Sequence, residues 1–413
     1  MPSDTRIEYS LLYTATLCLL AVGAVMVYSA SSAEELLGPT GDASYYLRRY
    51  VVLGAVGLAC LHVASRIGPR VVRALTLPLL LVAFTLTAAL HVPGLGVEVN
   101  GATRWLGAGP LQFQPSELLK VALVLYAAQV LAARPARVRT LPGLVKPLLL
   151  VVGAACALLL SQPDMGTAIV ICLSTGALLV AAGARLGHLA TIGGFLTVAA
   201  FVLAVVEPYR RERLTSFLDP WSDSADTGFQ AVQAMIAIGS GGVFGVGLGE
   251  SVQKILYLPE AHTDMILAII GEELGVVGIA GLVALYGMLA YAGLRTAKLG
   301  REPYEKLLAA GLTSLVLCQA VLNLFAVMGM APLTGVPLPF VSYGNSNLVV
   351  LLAGMGLVLG VARRSAAPAA AARPARSPLR APPGGRGGEG GDRRGGDGRA
   401  RGARAGGGRR AAG

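Results

Sequence analysis

The sequence predicts an all-α, polytopic membrane protein with about ten transmembrane helices, and three observations lead to this fold class. Of the 413 residues, 54% are hydrophobic and only 14% are charged. The apolar residues are gathered in runs that approach the ~20 residues which a helix needs to cross a bilayer. Polar segments rich in glycine and proline separate these runs, as expected for loops between membrane helices. The first run lacks a clear site for signal-peptide cleavage, so we expect it to remain as a span.

Ten apolar runs are predicted to cross the membrane, with a large extracytoplasmic loop between the seventh and the eighth. Lysine and arginine are concentrated in the connections after the second, fourth, sixth and eighth runs, and such an excess marks the cytoplasmic side. Both termini are therefore expected in the cytoplasm, and the long loop outside. The approximate limits of the runs are 9–29, 50–66, 74–91, 115–133, 147–161, 164–183, 188–206, 264–294, 306–330 and 343–362.

The long outer loop, Glu207–His262, contains an amphipathic piece near Phe229–Ile238 and then a glycine-rich stretch at 239–249. The glycines and the charge rule favour an interfacial or re-entrant segment over an eleventh span. The glycine-rich stretch lacks the lysine–serine ending of a P-loop, so it does not indicate a nucleotide site.

Almost all of the formal net charge of +11 belongs to the C-terminal end of the chain. Residues 363–413 contain thirteen arginines against three acidic residues, a net charge of +10, whereas residues 1–362 are close to neutral. The basic balance therefore gives no support for binding of nucleic acid by the membrane part. We expect two domains: a transmembrane domain over 1–362 and a disordered, cytoplasmic Arg/Gly/Ala/Pro-rich tail over 363–413.

The stretch 257–275 carries the first candidate site. It reads Y-L-P-E-A-H-T-D-M-I-L-A-I-I-G-E-E-L-G and places His262, Thr263 and Asp264 at the mouth of a long apolar run. An ionisable side chain at that position is a functional hypothesis by default, because lipid disfavours its charge. The alternative is that Asp264 only caps a helix.

A second polar cluster lies where the fourth predicted helix begins. Glu117 and Lys120 are three residues apart, so they share a helix face and can pair. They are either a structural ion pair, or Lys120 binds phosphate oxygens together with Arg104. Trp105 either stacks on a sugar or anchors to lipid headgroups. The polar residues of this cluster are Arg104, Trp105, Gln114, Ser116, Glu117 and Lys120.

Several outer basic residues break the orientation rule, Lys254 among them. The even-numbered helices also direct their N-termini, which carry a partial positive charge, toward the outer face. Together these features predict an anion site at the outer leaflet.

Metal and cofactor chemistry have no evident signature. The five cysteines all fall inside apolar runs and lack the spacing of metal ligands or of a disulfide framework. No metal-ligand cluster is predicted, and the need for a divalent cation is left open.

Long motifs in a fixed order resemble the SEDS (shape, elongation, division, sporulation) family of bacterial cell-wall glycosyltransferases. They are R-W-L-G-A-G-P-L-Q-F-Q-P-S-E, Q-P-D-M-G-T, G-V-G-L-G-E-S-V-Q-K-I-L-Y-L-P-E-A-H-T-D, G-E-E-L-G and P-L-P-F-V-S-Y-G. The resemblance spans nearly the whole membrane part, and the segment ending in Asp264 is more similar to FtsW, the division branch, than to RodA, the elongation branch. Two departures are Asn345, where the family usually has glycine, and Leu333-Thr334-Gly335, where it has T-K-G.

The resemblance implies polymerisation of lipid II into β-1,4 glycan strands at the outer face of the bacterial cytoplasmic membrane, with inversion at the anomeric carbon. Asp264 is then the catalytic base, and Arg104, Lys120 and Lys254 contact the diphosphate of the undecaprenyl-linked substrates. The remaining substrate contacts implied are Trp105, Gln114, Ser116, Glu117, His262, Thr263, Ser342 and Tyr343. A monofunctional class B penicillin-binding transpeptidase and divisome or elongation proteins are the implied partners, with the division septum as the site of action.

Two other functions fit the same composition. A transporter or flippase of lipid-linked precursor would also have buried charges within many helices, although its polar residues would crowd the bilayer midplane instead of the outer loops. A scaffold that recruits division proteins would leave Asp264 dispensable.

Overall fold

The computed structural model describes residues 4–38, 41–99, 102–108, 111–206, 208–224, 228–255 and 257–366. Most of the predicted 363–413 tail lies outside these residues, and its first four residues still belong to the last helix, which ends at Ala366. The division of the chain at residue 362 stays a prediction.

The described residues are overwhelmingly helical, which confirms the predicted fold class. The helices are α1 (Asp4–Leu37), α2 (Tyr45–Arg66), α3 (Pro69–Ala89), α4 (Pro115–Ala133), α5 (Leu141–Leu144), α6 (Leu150–Leu160), α7 (Met165–Ala181), α8 (Leu186–Val206), α9 (Pro208–Leu218), α10 (Phe229–Gly241), α11 (Ile266–Leu299), α12 (Pro303–Val327) and α13 (Asn345–Ala366).

Each predicted span coincides with one of these helices or with a joined pair. Eight segments are long and apolar enough to cross a membrane, and α7 and the apolar part of α8 are shorter. One of the eight, Leu141–Leu160, joins α5 to α6 through a π-helical turn at Val145–Leu149, so this span begins earlier than predicted. The chain is therefore a multi-pass membrane protein, and the count of ten spans stays a prediction.

A small antiparallel sheet stands between α3 and α4, where the sequence predicts only a loop. Its strands are β1 (Gly96–Val99), β2 (Ala102–Ala108) and β3 (Leu111–Phe113), paired in the order β1-β2-β3. Trp105 on β2 pairs with Val97 on β1. Strands this short are hard to predict, because the glycines and prolines around them also signal loops.

The helices α4, α12 and α13 form the interior of the bundle. About seven-tenths of the most apolar segment of each is buried, against 28% for α2 and α3. A helix buried on all sides must satisfy its polar side chains within the protein. The glutamate, lysine and amide side chains on these three helices are therefore the ones whose partners matter most.

The helix α11 is broken two turns after it begins. Gly275 has φ 65° and ψ −160°, a backbone conformation that only glycine adopts readily. The backbone N–H groups of Val246 and Gly247, from the loop after α10, donate to the carbonyls of Glu272 and Glu273. In return, the N–H groups just beyond the break donate to loop carbonyls: Val276 N to Gly242 O at 3.0 Å and Val277 N to Val243 O at 3.1 Å. The glycine-rich loop thus completes the backbone hydrogen bonding around the break in α11, while its interfacial or re-entrant placement stays a prediction.

Candidate active site

Asp264 lies in the turn that leads into α11, directly before the helix N-cap residue Met265. A hydroxyl from the preceding residue, Thr263 Oγ1, lies 3.3 Å from Asp264 Oδ1 and 2.6 Å from Glu260 Oε2. The loop before α13 passes on the other side: a Cβ placed on Gly335 would lie 3.8 Å from Asp264 Oδ2. The carboxylate therefore sits between two loops, not inside a helix.

Two amide side chains on α12 connect these loops. Asn323 Nδ2 donates to Asp264 O at 2.7 Å and to Val336 O at 2.8 Å. One turn earlier, Gln319 Nε2 donates to Pro337 O at 2.9 Å. Residues four apart share a face of a helix, so α12 presents one polar stripe to both loops.

The Glu117–Lys120 pair is hydrogen-bonded to the same polar stripe of α12. Lys120 Nζ lies 2.9 Å from Glu117 Oε1 and donates to Gln319 Oε1, also at 2.9 Å. Asn347 on α13 donates to the other Glu117 oxygen at 2.7 Å. Lys120 and Glu117 are 1% and 2% exposed. The predicted ion pair is thus present in the structure, and it contacts α12 and α13.

Two further residues of the second predicted cluster, Gln114 and Ser116, lie at the N-terminus of α4. The backbone N–H of Gln114 donates to Ser346 Oγ at 2.8 Å, which ties the start of α4 to the start of α13. Ser116 is buried, and among the described residues its hydroxyl has no hydrogen-bond partner.

Arg104 extends from β2 to the turn between α6 and α7. Its guanidinium donates to Gln162 O at 3.3 Å and to Pro163 O at 2.5 Å. In the same turn Asp164 is the N-cap residue of α7 and accepts from Thr167 N at 3.1 Å, as aspartate commonly does at this position. This turn packs against the loop beside Asp264, because a Cβ on Gly166 would come within 2.5 Å of Thr334 O.

His262 and Tyr343 form an aromatic cluster with Tyr46 of α2. The His262 ring centroid is 4.1 Å from that of Tyr46 and 5.8 Å from that of Tyr343. Tyr343 N also donates to His262 O at 2.9 Å. Burial lowers the pKa of His262, against the opposing influence of the Glu260 and Glu35 carboxylates. Ser342, which was also predicted to contact substrate, accepts from Leu338 N at 2.9 Å and closes a turn.

Lys254 belongs to a separate buried cluster. Its ammonium donates to Glu273 Oε1 at 2.8 Å, to Gly249 O at 2.7 Å and to Ser29 Oγ at 3.2 Å. Ser29 also donates to both oxygens of Glu273. An ammonium group has three protons, so each proton of Lys254 has an acceptor within the protein.

Glu272 has a comparable anchoring role in the same region. It accepts from the Ser251 hydroxyl and, at 3.0 Å, from Val252 N. Both glutamates of the G-E-E-L-G motif thus hold the loop that completes α11.

The site therefore combines residues that the sequence predicted with residues that it missed. Gln319 and Asn323 were missed, although two amides at i and i+4 in an apolar span are a recognisable signal. Tyr46 and Asn347 carry no such signal, because a tyrosine or asparagine near a helix start is common. Within the described ranges, no three His, Cys, Asp or Glu side chains are arranged to hold a metal ion.

Comparison with known proteins identifies the family. The FtsW/RodA/SpoVE sequence model, described as "Cell cycle protein", matches residues 9–367. A probable peptidoglycan glycosyltransferase FtsW of Thioalkalivibrio sulfidiphilus is 43% identical over 355 residues, 84% of this chain and 88% of that protein. The corresponding protein of Geobacter sulfurreducens is 38% identical over 357 residues, 85% of this chain and 95% of that protein.

Solved structures agree with this assignment. A structure described as "Structural coordination of polymerization and crosslinking by a peptidoglycan synthase complex" matches with a TM-score of 0.70 and 31% identity, over 85% of this chain and 96% of that chain. The crystal structure of the Thermus thermophilus rod shape determining protein RodA matches with a TM-score of 0.60 and 30% identity, over 85% and 95% of the two chains. The chain therefore belongs to the FtsW/RodA/SpoVE (SEDS) family, and it is closer to the FtsW members than to RodA.

Proposed function

We propose that this protein is a peptidoglycan glycosyltransferase that polymerises lipid II into β-1,4 glycan strands at the outer face of the cytoplasmic membrane. The two relatives described above are named probable peptidoglycan glycosyltransferases. The observation that carries the proposal is the position of Asp264 between two loops, both tied to the polar stripe of α12. A carboxylate held in this way, outside a helix, suits a reaction that moves a proton.

In the proposed reaction Asp264 is the general base. The 4-hydroxyl of the lipid II GlcNAc gives its proton to the Asp264 carboxylate as its oxygen attacks the anomeric carbon of the growing strand. The bond from that carbon to the undecaprenyl diphosphate breaks, and the diphosphate leaves with the bonding electrons. Attack opposite the leaving group turns an α-linked diphosphate into a β-1,4 bond, which needs one base and stabilisation of the leaving group.

Lys120 and Arg104 are the proposed contacts for the diphosphate. Protein acceptors within the described residues take two of the three Lys120 ammonium protons, so one stays available for a phosphate oxygen. Arg104 uses two N–H groups on backbone carbonyls and has five in total. Trp105 is proposed to stack on a sugar, with polar contacts from Gln114, Ser116, His262, Thr263, Ser342 and Tyr343. Lys254, whose protons are all taken, is proposed to be structural.

We further propose that the protein acts in cell division, at the septum, with both termini in the cytoplasm. Its similarity to FtsW proteins supports this role. Polymerised strands need crosslinking, and the similar structure of a peptidoglycan synthase complex concerns both steps. A class B penicillin-binding transpeptidase is the proposed partner, together with other division proteins.

The test is polymerisation by the purified protein. Full-length protein in detergent micelles or liposomes is incubated with lipid II, with and without the partner transpeptidase, and glycan length is read on a gel. We expect glycan strands. Lipid II that lacks the GlcNAc 4-hydroxyl, supplied alone, is the substrate control, and it should form no strands because it has no acceptor hydroxyl. A transporter would move lipid II across the liposome membrane and form no strands, which would contradict the proposal.

A further inference from the structure

Asn323 holds the backbone of Asp264 in place, although it lies 59 residues away in the chain. Its side chain is 2% exposed, and both protons of its amide nitrogen are used, one on Asp264 O and one on Val336 O. The amide therefore joins the residue that carries the proposed base to the neighbour of Gly335, the glycine that faces the carboxylate.

Asn323 supplies a side-chain donor to one backbone carbonyl in each of the two loops. The first turn of α11 does not engage the Asp264 carbonyl through Ala268, whose N–H donates to Met265 O at 2.9 Å instead. Removing the donor from a buried carbonyl costs about 1–3 kcal/mol, so the two hydrogen bonds of Asn323 favour the observed position of both loops.

We infer that Asn323 is a positioning residue for catalysis. It fixes the distance between the Asp264 carboxylate and the segment Leu333–Pro337 of the loop before α13. This inference rests on the proposed function. It adds a residue that acts through the backbone of Asp264 and of Val336 and not through the substrate. Geometry of this kind matters because a misplacement of a catalytic group by 1 Å can cost about 10²-fold in rate.

The main test compares Asn323→Leu with Thr313→Val. The first change removes both donors and keeps the branched shape and the number of heavy atoms in the side chain. The second removes a hydroxyl that is also buried in α12 and, among the described residues, has no hydrogen-bond partner. We expect Asn323→Leu to lower kcat for lipid II about 10- to 100-fold with KM within about twofold of wild type, and Thr313→Val to leave both unchanged.

Hydrogen–deuterium exchange measures the positioning directly. Asn323→Leu should speed exchange in peptides that cover 257–265 and 333–344, while peptides from α4 and α13 keep wild-type rates. Thr313→Val should change none of these peptides. If Asn323→Leu does not fold, Asn323→Ala, which removes the donors without adding bulk or charge, replaces it in both measurements.

The outcomes separate this inference from the proposed function. Wild-type protein that polymerises lipid II, together with an Asn323→Leu protein of near-normal kcat or unchanged exchange, would overturn the positioning role alone. A loss confined to KM would overturn it as well, because it would mean that Asn323 supports binding. Wild-type protein that forms no strands would remove the proposed function, and this inference with it.

Discussion

Two buried lysines, Lys120 and Lys254, look alike from the sequence but have different surroundings in the structure. Each is almost fully buried and paired with a glutamate, at 2.9 Å for Lys120 and 2.8 Å for Lys254. Lys120 has two acceptors among the described residues, and one of them, Gln319, also binds the loop beside Asp264. Lys254 has three acceptors, and they connect α1 and α11 to the glycine-rich loop.

The difference shows that burial and pairing alone do not identify a substrate contact. An ion pair taken out of water is costly, so a protein keeps one for structure or for function. The number of protons left on the ammonium, and the segments it connects, distinguish the two uses. Lys120 retains one ammonium proton without an acceptor among the described residues, and it lies in the network of Asp264. Lys254 donates all three of its protons to protein acceptors, and it lies in the network that completes α11.

The largest effect is expected at Asp264, the proposed base, whose network includes Lys120 but not Lys254. Asp264→Asn keeps the size and much of the hydrogen bonding, but it cannot accept the proton of the acceptor hydroxyl. A general base contributes about 10²–10⁴-fold in rate, so the variant should fold, bind lipid II and form almost no glycan. The measurement is glycan synthesis by purified protein, with lipid II binding as the control. Normal strand synthesis would exclude Asp264 as the base.

The next prediction changes each lysine together with its glutamate, so that no charge is left buried alone. Lys120→Met with Glu117→Gln should fold and lose polymerisation, because a diphosphate contact is gone. Lys254→Met with Glu273→Gln should lower the melting temperature, yet the protein that remains folded should polymerise at a rate close to that of wild type. Activity per folded molecule is the measurement for both proteins.

The two double variants serve as controls for each other, since each removes one buried ion pair of the same kind. Activity in the Lys120 variant would make that pair purely structural. Loss of activity in the folded Lys254 variant would instead return Lys254 to the substrate contacts.

How much of this could be predicted from the sequence depends on the range of the interaction. Apolar runs and basic loops depend on neighbouring residues, so the all-α membrane fold could be predicted, and so could the Glu117–Lys120 pair. The contact of Asn323 with Asp264 joins residues 59 positions apart, and no local pattern reveals it. The break at Gly275 was missed for a related reason: its cause is the loop at Gly242–Gly247, which lies in another part of the chain.

The contact between the glycine-rich loop and α11, which the Lys254 network supports, can be tested at Gly275. A Cβ at this residue would lie 2.5 Å from Gly245 N and from Val243 O, and φ is 65°. Gly275→Ala should therefore destabilise the protein by about 2–4 kcal/mol, seen as a lower melting temperature. Gly281→Ala on the same helix is the matched control, because no atom lies within 4 Å of its Cβ position. That change should be neutral or should stabilise by up to about 1 kcal/mol. Equal effects of the two changes would argue against the loop that completes α11.

The smallest expected effect concerns His262, two residues before Asp264 and outside both lysine clusters. Burial lowers the pKa of its imidazole below the usual value of about 6.5. Around pH 6.5 and below, the unfolded chain therefore binds a proton more readily than the folded protein does. The stability that neutral His262 contributes is fully present above about pH 6.5 and is lost as the pH falls through the lower folded-state pKa. Melting temperatures between pH 8 and pH 5 should fall more steeply for wild type than for His262→Gln, which keeps a polar side chain but does not titrate. Parallel curves for the two proteins would show that the ring does not titrate differently on folding, and would leave His262 with a packing role against Tyr46.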